Sequence, residues 1–297
     1  MLSKEHPQAV DAILLGGKDP DAKDFNAQYK YNLLLNGQKI LDNVLGAISS
    51  SNLVNKLIFV TPESEIAKGD LGKVNKDVYL TEPKGKLWDN LSAGIKRQQQ
   101  LGGNQQILII CSDLPFLTSK SIDWLVQNSC DKGNICLPTV SRASMERLRG
   151  IYETYFWPMK EGPFKFGNNL FTNINLLEES KLPYLINEYR KNQYNNDFSM
   201  LINRIGFMCR YGGKEAIYTL FLNYLSKTLQ VKIDTKNIPF SSMLSKANYE
   251  KLLSEVVGSN TQLLDSPHIE IAMDVDSQNR FEIFRRAYDS IMKIINE

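Results

Sequence analysis

Histidine is nearly missing from this 297-residue chain, which has only His6 and His268, so a zinc centre would need unusual ligands. The four cysteines, Cys111, Cys130, Cys136 and Cys209, include no CxxC pair. Such usage suits reduced thiols in a cytoplasmic protein, and Cys111, at the end of an apolar run, reads as a buried one. Long apolar runs are also lacking. The longest, such as Ile107–Cys111, are strand-sized and far from the roughly 18–20 residues that cross a bilayer. The stretch Met1–Val10 is polar, without the apolar centre of a signal peptide. No charge predominates: 35 Lys+Arg against 33 Asp+Glu leave +2, which argues against a general binder of nucleic acid or acidic membrane. Neither GxxxxGK[ST] nor GxGxxG occurs, which excludes a P-loop and a dinucleotide fingerprint.

What remains is a globular composition, 42% hydrophobic and 23% charged, able to bury a core without staples. The length fits one large domain or two small ones. The first half alternates strand and helix signals. Apolar runs at Ala12–Leu15, Leu57–Val60, Val78–Leu80 and Ile107–Cys111 read as strands. Helical stripes appear at Lys39–Ser49, Leu87–Arg97 and Ser121–Val126, and Asp19–Tyr29 reads as a loop. Strands apolar at every position, alternating with helices, predict a mostly parallel sheet covered on both faces, with ligands at the carboxyl ends of its strands. In the second half, Leu148–Phe156 could be a strand, and Leu176 to about Leu264 carries helical signals with an exposed turn at Gln193–Asn196. A late strand at Ile269–Val275 and a closing helix at Asn279–Ile295 follow. This organisation predicts a core over 1–175, a helical insertion over 176–264 and a returning strand and helix over 265–297.

The residues just after each apolar run could carry chemistry. Gly16-Gly17-Lys18, with Lys30 and Asn36-Gly37 further on, offers close backbone approach, exposed N–H groups and two lysines for a triphosphate. A plain Gly-Gly turn with solvated lysines uses the same residues. Asp113, at the end of the most apolar strand and before Pro115, suits Mg²⁺ held over a phosphate, or the capping of the next turn. Asp274 and Asp276 share one side of an extended segment and Ser277 can cap the next helix. If that segment lay beside Asp113, the carboxylates would converge on a cation; otherwise they are solvated turn residues. Gly162–Phe171, rich in glycine, amides and aromatics, suits a wall for a polar acceptor or a structural hairpin.

Taken together, these segments resemble the MobA-like nucleotidyltransferase family, which includes molybdenum-cofactor guanylyltransferase and sugar-phosphate nucleotidyltransferases. The likeness rests on Leu14-Leu15-Gly16-Gly17, Lys30 seven before Gly37, Asp113-Leu-Pro-Phe-Leu117, Asp274-Val-Asp-Ser-Gln-Asn-Arg-Phe281 and the Gly162–Phe171 stretch, and spans about residues 10–290. It implies a three-layer Rossmannoid, GT-A-like α/β fold and Mg²⁺-dependent transfer of NMP from an NTP to a phosphorylated small acceptor, with pyrophosphate released. Carried over, Leu15, Gly16 and Gly17 would embrace the nucleotide, Lys18 and Lys30 would meet phosphates, and Gly85 and Asn90 would face the base. Lys30 and Asp113 would serve catalysis, Asp113 with Asp276 and Asp274 would hold Mg²⁺, and Gly167 and Asn168 would meet the acceptor. This chain departs from the pattern in a longer loop after Lys18 that carries Asp19, Asp21 and Asp24. A non-catalytic nucleotide or sugar-nucleotide binder and a GT-A glycosyltransferase are the alternatives. The helical region is the place for acceptor selectivity or homodimer contacts.

Overall fold

The computed structural model describes residues 8–17, 25, 27–66, 68–129, 135–154, 156–157, 159–181 and 245–297. Lys18, the Asp19–Asp24 part of the predicted loop and the helical stretch over 182–244, with its Gln193–Asn196 turn, lie outside them.

The chain opens with strand β1 (Val10–Leu15), the small hairpin of β2 (Leu34–Leu35) and β3 (Gln38–Lys39), and helix α1 (Ile40–Ser50). Asn36 and Gly37 close that hairpin with φ of 51° and 78°, the left-handed pair that a two-residue turn needs. Strands β4 (Val54–Val60) and β5 (Asp77–Thr81) precede helix α2 (Leu87–Gln100), then β6 (Gln106–Cys111) and α3 (Ser119–Ser129). Strands β7 (Ile135–Ser141), β8 (Phe164–Phe166) and β9 (Asn169–Asn173) lead to the short α4 (Ile174–Glu179). Helix α5 (Lys246–Val257), strand β10 (Thr261–Asp265) and helix α6 (Gln278–Asn296) complete the described residues.

Apart from the β2–β3 hairpin, these strands form one eight-stranded sheet, ordered β10-β7-β9-β6-β1-β4-β5, with β8 paired to β7. β1 runs parallel to both β4 and β6, and Leu15 stands opposite Val60 on one side and Cys111 on the other, so three strands end level. β9 runs antiparallel to β6, as β8 does to β7.

Alternation along the strands sorts side chains to two faces. Leu14, Phe59, Leu108 and Ile110 pack with α1, α3 and α6 on one face, while Ile13, Ile58, Ile107 and Ile109 pack with α2 and α4 on the other. Helices thus cover both faces, which gives the expected three-layer α/β architecture. The stripes are those read from the sequence: Ile40, Leu41, Val44, Leu45 and Ile48 of α1 are all buried. Ser277 caps α6 by accepting the Arg280 N–H at 3.3 Å.

The second half corrects several expectations. Ile269–Val275 is not a strand. Ile269–Ala272 forms a 3-10 turn, the Met273 N–H donating to Glu270 O at 3.1 Å, and buried Glu270 accepts the Thr118 hydroxyl at 2.6 Å. Every residue of the turn is buried, Glu270 included, so its apolar residues signal burial and not extension. The strand is instead β10, which lies in the stretch read as helical and pairs with β7 along Thr261–Asp265. Leu148–Phe156 also fails as a strand. Leu148 ends the 3-10 turn Glu146–Leu148, Gly150 takes φ of 79°, and the nearest extended pairing is the isolated bridge of Trp157 with Phe164. β7 escaped the sequence reading.

Candidate functional site

Three strands that end level create a notch above the sheet, and the segments leaving them wall it. The resulting cleft is open to solvent and polar groups converge on it. Leu15, Gly17, Lys30, Tyr31, Gly85, Leu87 and Asn90 line it together with Cys111, Ser112 and Asp113 at its base. Six predicted residues, Leu15, Gly17, Lys30, Gly85, Asn90 and Asp113, therefore meet at one place.

Each wall has a local cause. The Ser112 N–H donates to Leu15 O at 3.2 Å, which carries the β1–β6 pairing one residue past the end of β6 and brings Asp113 to the cleft. Lys30 begins the 3-10 turn Lys30–Asn32 and is 7% exposed, with Nζ 5.6 Å from the centre of the Phe25 ring. Tyr31 beside it donates to or accepts from the Thr61 hydroxyl at 2.7 Å, and its burial raises the phenol pKa. Buried Asn90 turns its Oδ1 to accept the Lys84 and Gly85 N–H groups at 2.6 and 3.0 Å. Gly85 has φ of 100°, a conformation that favours glycine.

The two glycines of the Gly-Gly pair do different work. Gly17 faces the cleft, and a Cβ there would overlap Asn90 Nδ2. Gly16 does not line the cleft. Its N–H donates to Val60 O at 2.9 Å, and a Cβ there would come 2.5 Å from the Phe59 ring and 3.1 Å from the Tyr31 ring. Gly16 is thus a close-packing glycine in the core.

Gly167 and Asn168, the expected acceptor residues, do not line this cleft either. Their N–H groups donate to Pro138 O at 2.8 Å and Ile271 O at 2.9 Å, and a Cβ on Gly167 would come 2.9 Å from the Pro138 ring. They seat the β8–β9 link against β7 and the Ile269–Ala272 turn.

The acidic segment comes close to Asp113 through its backbone, since the Val275 N–H donates to Asp113 O at 3.1 Å. The cations beside its side chains belong to the chain itself. Asp274 is ion-paired with Lys165 at 3.1 Å and Arg280 at 3.5 Å, and Arg280 also pairs with Asp276 at 2.5 Å. Burial pushes the Asp274 carboxyl up, but the Lys165 and Arg280 charges outweigh it and hold the group below the usual carboxylate range. Among the described residues, no three His, Cys, Asp or Glu side chains gather into a metal-holding group.

The sequence reading named Asp113 but passed over Tyr31, Leu87 and Cys111 as cleft residues. Cys111 was expected to be buried; it is half-buried and lines the cleft, because the side chain of a strand's last residue stands at the sheet's edge. Nothing local marks Tyr31.

No family model and no curated protein sequence matches the chain. Solved structures do. A hypothetical transferase from Thermus thermophilus aligns over 92% of this chain and 100% of its own at 21% identity, with a TM-score of 0.65. A 4-diphosphocytidyl-2C-methyl-D-erythritol synthase from Anaerococcus prevotii aligns over 96% and 100% at 10% identity, with a TM-score of 0.53. A further structure of a 4-diphosphocytidyl-2C-methyl-D-erythritol synthase aligns over 95% and 100% at 10% identity, with a TM-score of 0.50. The cleft at the ends of β1 and β6 therefore sits in a chain that has the GT-A-like α/β fold of these transferase and synthase structures.

Proposed function

We propose that the protein is a nucleotidyltransferase that moves NMP from an NTP to a phosphorylated small molecule. The observation that carries this reading is the meeting of Gly17, Lys30, Asn90 and Asp113, from four separate segments, in one cleft at the carboxyl ends of β1 and β6. Solved structures with this fold, a hypothetical transferase and a 4-diphosphocytidyl-2C-methyl-D-erythritol synthase, support the same reading.

The reaction asks little covalent chemistry of the protein. A phosphate oxygen of the acceptor attacks the α-phosphorus of the NTP in line. A new P–O–P link forms, the bond to the bridging oxygen of the β-phosphate breaks, and that oxygen leaves with pyrophosphate. A phosphate oxyanion needs no strong base, so rate comes from positioning and neutralised charge. Lys30 offers a point charge to the triphosphate and Gly17 leaves room for close backbone approach. Asn90, its oxygen already committed to the Lys84–Gly85 backbone, presents its NH₂ toward the base side.

Mg²⁺ favours one or two carboxylates together with phosphate and water oxygens, and Asp113 at the cleft floor supplies such a carboxylate. Asp274 and Asp276 pair with Lys165 and Arg280, and the carboxylate-bearing residue that lines the cleft is Asp113, which would hold the ion together with the triphosphate. When bound, the ion would offset charge on the triphosphate.

The test is calorimetric titration of NTPs with and without Mg²⁺, alongside pyrophosphate release over a panel of phosphorylated acceptors. Lys30→Ala should weaken NTP binding. Asp113→Ala should keep the fold and abolish Mg²⁺-dependent turnover, and an unchanged release rate would remove Asp113 from the mechanism. Saturable NTP binding without release across the whole panel would leave a nucleotide-binding protein in place of an enzyme.

A further inference from the structure

The sheet ends in two edge strands whose outward backbone groups are treated differently. On β10, the Thr261 N–H donates to Ser254 Oγ and the Leu263 N–H to Glu250 Oε1, both at 2.9 Å, so helix α5 closes that edge. At the other end β5 (Asp77–Thr81) pairs with β4 alone. The Thr61 N–H donates to Thr81 O at 3.0 Å, so Thr81 turns its backbone groups inward, and by alternation Asp77 and Tyr79 do the same. Val78 and Leu80 therefore present theirs outward, and nothing among the described residues bonds to them. An open edge is a template for another strand, and proteins ordinarily blunt it with a proline, a charge or a bulge. Val78–Thr81 has no proline and no charge, and its register with β4 is unbroken.

The sequence of this edge is complementary to itself. Laid antiparallel on a second copy and centred on Tyr79, Val78 stands opposite Leu80, Asp77 opposite Thr81 and Lys76 opposite Glu82, each pair occurring twice. The outward residues Val78 and Leu80 then fall at the hydrogen-bonded positions of the ladder, and Tyr79 at the closer, non-bonded one. Lys76 and Glu82 put opposite charges face to face at both ends, and Pro83 halts the ladder just beyond. A register centred on Val78 would set Lys76 against Leu80, and one centred on Leu80 would set it against Lys84, so the charges select Tyr79 as the centre. The side chains suit the same join. Val78 and Leu80, half-buried, pack on the face of α1, α3 and α6, while Tyr79 lies on the other face with the Arg97 guanidinium 5.7 Å from its ring centre. Glu82 is exposed and uses one carboxylate oxygen to accept the Glu63 N–H at 3.1 Å.

We propose that β5 is an interface between two copies of this chain, joined as antiparallel edge strands about a two-fold axis at Tyr79, so that one sheet runs through the dimer. Because the joined strands run in opposite directions, the carboxyl edges of the two halves point opposite ways, and so do the two clefts. The inference does not depend on the transferase reading.

Sedimentation equilibrium of the full-length protein over a range of concentrations should show monomer and dimer in exchange. Lys76→Glu and Glu82→Lys should each weaken the dimer about tenfold or more, because each places two like-charged pairs in the ladder, and the two substitutions together should restore it. Within one extended strand these positions lie about 20 Å apart at roughly 3.3 Å per residue, so the restoration can come only from contact between copies. Tyr79→Cys should cross-link two copies through a disulfide on oxidation, since Cα atoms facing each other at a non-bonded pair are about 4.5 Å apart. Asp77→Cys, which has Thr81 opposite it, should cross-link no more than wild type. A protein that stays monomeric at every concentration overturns the proposal. So does a dimer that neither charge reversal weakens, one that the double reversal fails to restore, or one in which Tyr79→Cys does not cross-link.

Discussion

An alanine at position 17 would place a Cβ where Asn90 Nδ2 now stands. A flexible side-chain end would normally swing aside, but this amide is pinned: its Oδ1 holds the Lys84 N–H at 2.6 Å and the Gly85 N–H at 3.0 Å. Turning it away forfeits both bonds, each worth about 0.5–1.5 kcal/mol net, for a total of about 1–3 kcal/mol. At roughly 2–4 °C per kcal/mol for a domain of this size, Gly17→Ala should melt several degrees below wild type. It should also lose nucleotide affinity, since both residues line the cleft. Scanning calorimetry reads the first effect and isothermal titration with NTPs the second. The double variant Gly17→Ala/Asn90→Ala is the control. With the amide gone the clash is gone, so the double variant should be no less stable than Asn90→Ala alone. A Gly17→Ala protein that melts with wild type and binds NTP equally well would refute the reasoning, because it would mean the Asn90 amide is not fixed by the Lys84–Gly85 backbone.

Gly16→Ala should act on the core and not on the ligand: its Cβ presses on the Phe59 and Tyr31 rings, so the melting temperature falls while any nucleotide affinity of the folded fraction persists. Phe284→Ala removes a fully buried ring that meets Phe116 edge-on at 5.0 Å and Tyr152 at 5.3 Å, and should cost about 3–5 kcal/mol in urea unfolding. Asp274 has a folded-state pKa below its ordinary value of 3.8, so its ion pairs stabilise the protein above that value and the benefit is lost as pH falls through the lower, folded-state one. Unfolding curves of wild type and Asp274→Asn should therefore differ above about pH 4 and converge on acidification; a constant gap down the acid limb would show that the carboxylate charge is not what matters.

Much of the fold was legible in the sequence because burial on both faces writes an unbroken apolar run. Ile107–Cys111 is such a run, and the helical stripes of α1 and α6 follow the helical period just as plainly. The cleft residues were legible for a related reason: in a parallel sheet, whatever follows a buried strand stands at the ligand edge, which singles out Gly17 after β1 and Asp113 after β6. Three-dimensional packing decided the rest. An apolar run of Ile271–Met273 looks the same whether it is a strand or a buried turn, and the difference lies in Thr118, 152 residues away, which takes the Glu270 carboxylate. Gly16 and Gly17 are neighbours of one residue type, yet one meets the Phe59 ring and the other meets the Asn90 amide, because the end of β1 turns them to different partners. Asp274 and Asp276 have Arg280 beside them within their own stretch of chain, but the Lys165 that pairs with Asp274 comes from 109 residues away. A sequence names its charges and their local spacing. Which charges neutralise one another depends on contacts between residues far apart in the chain, and only the folded chain brings those residues within reach.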